Sequence, residues 1–180
     1  MRSPHSFIVR PEGGKLFDNV SNGIILSSST EDHEFTNRIA VVEEVPIGYS
    51  GPVQKGYRIV THHNTFRPFN NMRGVEEMPS TFVKSDVYFI DPESIYMYAS
   101  PGDDWTAMEP NVFVRPVEKK HEFLMLPGEL EPLHGVMVYG SNPGTPVVFT
   151  PHSEYEFRIN GETLYKMKLS DICLVSKKEY

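Results

Sequence analysis

Few residues in this chain have the type and spacing for chemistry. His62 and His63 are adjacent. On a strand, neighbouring side chains point to opposite faces, so the pair is not expected to converge on one metal or proton. Asp103-Asp104 closes the turn-rich run SPGDD and reads as a solvated turn. Ser27-Ser28-Ser29 lacks the strand–turn–helix setting of a nucleophile elbow. There is no P-loop and no GxGxxG. Cys173 is the single cysteine, which leaves no intrachain disulfide and no cysteine zinc cluster. Set between Ile172 and Leu174, its thiol is expected to pack on a strand and stay inert. No His, Asp or Glu spacing suits a metal. The expectation is a protein without catalytic residues, metal or cofactor.

A different physical property stands out in NVSNGIILSSST, Asn19 to Thr30. Ile24, Ile25 and Leu26 follow Gly23 and are fenced by polar residues. One reading is a short buried strand. The other is an apolar triad displayed on a soluble loop. Burying three such side chains on a partner is worth about 5–9 kcal/mol, at about 1.5–3 each. Ordering the loop costs about 1–2 kcal/mol per residue. One such loop therefore binds weakly.

The elements that must carry this stretch are short. The chain has 180 residues, 39% hydrophobic and 12% aromatic, with 15 prolines and 13 glycines. That composition supports a packed core cut into strands and turns, and no apolar period of 3.6 is sustained. The net charge is −7. The basic residues are scattered, which argues against nucleic acid as a partner. No apolar run is long enough to span a membrane. The N-terminus lacks a signal-peptide h-region, so the expected compartment is cytoplasm.

The sequence also repeats. Phe7-Ile8-Val9-Arg10-Pro11 is answered by Val112-Phe113-Val114-Arg115-Pro116, and Arg38–Val42 by Gly135–Gly140. Val53–Thr61 is answered by Gly144–Thr150, and Ser85–Tyr98 by Gly161–Val175. The order points to an all-β chain of two copies, 1–99 and 108–180, joined by a linker at 100–107. Each copy is expected to hold about five strands in a small barrel or sandwich. A single larger β-sandwich is the alternative. Tyr49, Tyr57, Tyr88 and Tyr155 read as half-buried strand residues, and Trp105 as packing the linker onto a barrel.

The order of these pieces resembles the GroES-like co-chaperonins. The first copy reads IVRP, NGIIL, RIAVVEEV, VQKGYRIV, SDVYFIDPESIYMY; the second reads FVRP, FLMLPG, HGVMVYG, GTPVVF, GETLYKMKLSDICLV. The resemblance implies two tandem GroES-like small β-barrels, the first with a long mobile loop at about 12–36. It implies that Gly23, Ile24, Ile25 and Leu26 dock on a chaperonin ring of the GroEL type. It further implies a homo-oligomeric ring and an unfolded client enclosed beneath it. Neither nucleic acid nor a membrane is implied as a partner.

Four features depart from the family pattern. Two units share one chain, as in the plastid type. Pro46–Pro52 and Ser141–Pro143 are too short for a roof hairpin, as in phage-encoded members, for which the compartment would be the host cytoplasm. The second loop carries Leu124, Met125 and Leu126 as a possible second anchor, but is shorter by about five residues, or about 16 Å of reach. An insertion at 64–84 holds Phe66, Phe69, Met72, Met78 and Phe82. It reads either as a contact for a client or neighbouring subunit, or as a loop packed on its own barrel. The second functional reading is a non-enzymatic structural or assembly protein, such as a virion ring component, that reuses the same fold.

Overall fold

The computed structural model describes residues 2–14, 37–117 and 133–175, and the backbone alone at 20–21 and 24–25. The described residues form strands, turns and short 3-10 segments, and no α-helix. Two compact units are present, Met1–Trp105 and Thr106–Tyr180. The protein is all-β, built on two antiparallel sheets.

In the first unit the strand order is Ile95–Ala99, Arg58–Thr61, Ile39–Glu44, Phe7–Pro11, Val87–Ile90, Phe82–Lys84. In the second it is Ile172–Val175, Pro146–Phe149, Leu133–Tyr139, Asn111–Pro116, Glu162–Lys168, Tyr155–Ile159. The connectivity is the same. Six strands correspond in each unit, rather than the five expected. The extra strand is the outer arm of a hairpin. Ser85 and Asp86 turn one hairpin at φ 37° and 67°, and Asn160 and Gly161 turn the other at φ 53° and 80°. Positive φ at both turn residues matches the right-handed twist of the flanking strands, and Asn-Gly adopts it with least strain. The expected closed barrels are corrected to open sheets. Among the described residues no ladder joins the first and last strand of either order.

The correspondence extends to register. Val9 faces Val42 and Arg10 faces Val41; Val114 faces Met137 and Arg115 faces Val136. A bulge falls between Ile8 and Val9, and its counterpart between Phe113 and Val114. Tyr88 faces Val9 as Tyr165 faces Val114. Val42 donates to the Tyr57 carbonyl at 2.9 Å and accepts from Gly56 at 2.8 Å; Met137 does the same with Thr145 and Gly144 at the same distances. A 3-10 turn precedes the last strand in both, Pro92–Ser94 and Leu169–Asp171. A one-residue slip would send every side chain to the opposite face, so matching registers require matching inward patterns.

The core follows from those patterns. In the first unit Phe7, Val9, Val42, Ile59, Tyr88, Ile90 and Met97 are buried. Tyr88 is fully buried, not half-buried as expected, because Phe66 and Phe82 meet its ring edge-on at 4.8 and 5.5 Å. In the second unit Val112, Val114, Met137, Val147, Phe149 and Met167 form the cluster. Trp105 is buried in the first unit, with the Arg58 guanidinium 4.8 Å above its ring.

Two further expectations are corrected, and the insertion left open is resolved. The strand before the histidines ends at Thr61 and a 3-10 turn begins at His63, so the strand rule does not apply. The His62 and His63 rings lie side by side, 4.1 Å between centroids. Cys173 is exposed: among the described residues its strand pairs with Pro146–Phe149 alone and forms the edge of its sheet. The 64–84 insertion divides in two. Phe66 is core, whereas Phe69 and Met72 stand exposed on the hairpin Phe69–Asn70/Glu76–Glu77.

Candidate functional site

In each unit a long connection leaves the sheet at one place. Pro11 faces Ala40, and residues 12–39 run between them; Pro116 faces Gly135, with residues 117–134 between. Both departures lie at the end of the strand that carries the Arg-Pro pair. Proline cannot extend the ladder, which fixes where the chain leaves it.

The first root is built by side chains far apart in sequence. Glu12–Gly14 forms a short 3-10 turn, in which Gly13 and Gly14 take φ 69° and 66°. Two successive left-handed residues suit glycine alone without strain. At the other end Asn37, 6% exposed, donates from Nδ2 to the Glu12 carbonyl at 3.1 Å. Its Oδ1 accepts from the Ile39 amide at 2.9 Å. Asn37 therefore closes the loop at its base and starts the strand that follows. The Glu12 carboxylate meets Arg58 Nε at 2.7 Å, and Arg58 is in turn held over Trp105. The root thus joins three strands of the first unit.

Within the loop, Val20–Ser21 pairs with Ile24–Ile25 in a ladder of its own, apart from the main sheet. Val20 faces Ile25 and Ser21 faces Ile24. Ile24 and Ile25 thus belong to a local hairpin and not to a strand of the main sheet. Gly23 and Leu26 lie outside the described residues, as do Leu124, Met125 and Leu126 of the second loop. The root of that second loop is described: Val117 donates to the His134 carbonyl at 3.0 Å.

The residues first singled out for chemistry do not gather. His62 Nδ1 accepts from the Asn64 amide at 3.1 Å and so caps the 3-10 turn. The Ser100 hydroxyl bonds Asp103 within the turn that follows the last strand of the first unit. Among the described residues no group of three or more His, Cys, Asp or Glu could hold a metal ion, and no helix is long and apolar enough to cross a membrane. Sequence reasoning missed the root itself. Asn37 immediately before the run RIAVV was its one visible signal, an amide residue where a loop hands over to a strand.

No protein-family model matches this chain, and no curated protein matches it in sequence.

Proposed function

We propose that this protein is a tandem co-chaperonin of the GroES-like kind. It caps a chaperonin ring by docking Ile24, Ile25 and Leu26 on it, and it shelters a client that folds beneath. The observation that supports this most is the duplicated sheet, register for register, with a loop leaving the same strand end in both units. A pinned root suits a docking loop, because a base already held in place lowers the ordering cost of binding. The proposal includes no catalytic residue and no cofactor. Nucleotide would be used by the partner.

The connections between the second and third strands of each unit agree with a cap without a roof hairpin. Among the described residues, 45–57 and 140–145 form turns with no strand pair of their own. In this proposal the protein is a homo-oligomer, works in the cytoplasm or in a host cytoplasm, and binds neither nucleic acid nor membrane.

The test is co-sedimentation with a chaperonin in the presence of ATP, wild type against Ile25→Ser. Wild type is expected in the chaperonin fraction and the variant outside it. If the two proteins distribute alike, the loop is not the anchor. The second reading, an assembly protein that reuses this fold, is favoured by the exposed hairpin at Phe69–Glu77, which lies outside the loop and displays apolar side chains.

A further inference from the structure

The two units differ on one face of their shared sheet. In the second unit Phe113 is fully buried there: Phe157 and Tyr139 meet it edge-on at 5.7 and 6.5 Å, and Tyr155 packs on Phe157 at 5.1 Å. The corresponding registers in the first unit put Ile8 where Phe113 stands, Glu44 where Tyr139 stands, and Lys84 where Phe157 stands. Smaller or charged residues replace the aromatic cover. What remains is an open groove of about 520 Å³ lined by Ile8, Val42, Val83, Val87 and Phe89. Val83 and Phe89 are 41% and 39% exposed within it. Arg10, Lys55 and Lys84 stand at its rim. Glu43 and Glu44, also at the rim, are engaged by Arg10 at 2.5 Å and Lys55 at 2.7 Å. The rim therefore carries one more cation than it has carboxylates, and Lys84 is the cation outside those pairs.

The first unit also has a projection that the second does not. The hairpin Phe69–Asn70/Glu76–Glu77 is held rigid at its tip by Asn71. Asn71 Oδ1 accepts from the Arg73 amide at 2.8 Å and the Val75 amide at 3.1 Å, and its Nδ2 donates to Glu77 at 2.7 Å. Gly74, at φ 74°, completes the turn. The tip holds out Met72, fully exposed, with Val75 at 56%, and carries Glu76 and Glu77 on its outgoing strand. A preorganised apolar tip loses little entropy on docking, and methionine adapts to irregular grooves.

We propose that the Met72 tip of one copy inserts into the Ile8–Phe89 groove of the next, with Glu76 facing the Lys84 rim. The occupant is a second copy of this chain. Tip and groove occur in the same unit and both are missing from the other; the tip, with Arg73 against Glu76 and Glu77, carries one net negative charge, and the rim one net positive charge. The contact is heterologous: each copy offers one tip and one groove, so repetition gives a ring if the rotation closes and a filament if it does not. It does not depend on the Ile24–Leu26 loop.

The test uses the full chain, with mass measured by light scattering across a concentration series. Two variants each remove one half of the contact. Met72→Asp spoils the tip at a fully exposed position, and Phe89→Glu puts an acid in the groove; far-UV circular dichroism checks that both fold. Wild type is expected to assemble with concentration, and each variant to assemble about tenfold or more weakly. A mixture of the two variants is expected to form dimers and stop there, because only one intact tip can meet one intact groove. The inference is overturned if wild type stays monomeric, if either folded variant assembles as wild type does, or if the mixture forms no dimers. If the variants assemble like wild type while Ile25→Ser still abolishes capture by the chaperonin, this inference fails and the proposed function stands.

Discussion

Replacing Asn37 by alanine tests the loop root directly. The substitution removes an acceptor from the Ile39 amide at 2.9 Å and a donor from the Glu12 carbonyl at 3.1 Å. Each hydrogen bond contributes about 0.5–1.5 kcal/mol net. Ile39 and Glu12 are both only partly buried, so water can reach the orphaned groups and the full desolvation penalty does not apply. Asn37→Ala is therefore expected to destabilise the first unit by about 2 kcal/mol. Asn37→Asp keeps the acceptor but sets a buried carboxylate against the Glu12 carbonyl oxygen, so it is expected to cost at least as much, about 2 kcal/mol or more. Urea unfolding followed by tyrosine and tryptophan fluorescence reads both values, and amide exchange at Ile39 should accelerate in the alanine variant and much less in the aspartate variant. If Asn37→Ala stays within about 0.5 kcal/mol of wild type, Asn37 is a bystander and the loop is closed by other contacts.

Other expectations follow from packing and charge. Phe66→Ala should cost about 3–5 kcal/mol because the ring is fully buried against Tyr88, whereas Met72→Ala should fall within about 0.5 kcal/mol in the monomer; equal costs by urea unfolding would refute the division of the insertion into core and projection. A Cβ at Gly135 would lie 2.3 Å from Val114 Cγ1 and 2.6 Å from the Arg115 carbonyl oxygen, so Gly135→Ala should lower stability by about 1–3 kcal/mol, measured by thermal unfolding. Lys166 has its pKa lowered, first by desolvation and then by Lys168. Its charged form is therefore disfavoured in the fold, and this penalty should fade as pH rises from the lowered value toward the ordinary lysine range. Wild type should gain stability over that window, and Lys166→Gln should not; parallel slopes in thermal midpoint against pH would count against burial as the cause.

Much of this architecture could be read from residue order. The two FVRP-like phrases and the two Tyr-containing closing phrases mark strands that do correspond, because matching registers keep the same positions inward. Tyr88 and Tyr165, the aromatic residues at the centre of those closing phrases, face Val9 and Val114 alike. What escaped was non-local. The Asn37–Glu12–Arg58 root joins residues beside the ends of two strands to a residue on a third, and leaves no local period. The burial of Phe66 and exposure of Met72 depend on where the chain meets Tyr88, which composition does not encode. His62 and His63 were misjudged because the strand ends one residue earlier than the pair, and Cys173 because an apolar neighbourhood in sequence did not mean a covered position in space.

One aromatic ring has moved between the repeats. Phe7 is buried against Tyr49, edge-on at 4.8 Å, and its register counterpart is Val112; Phe113 is buried against Phe157, and its counterpart is Ile8. The two strands therefore carry their phenylalanine on opposite faces. A chain with two sheets of equal order and equal register invites its own strands to enter the wrong sheet while folding, a hazard shared by tandem repeats in general. Here an exchanged strand would leave a hole where the missing ring belonged, in whichever sheet received it. Cavities of that size cost several kcal/mol. The displaced ring acts as a key cut for one lock, so that two nearly identical backbones can be made from a single chain without trading parts.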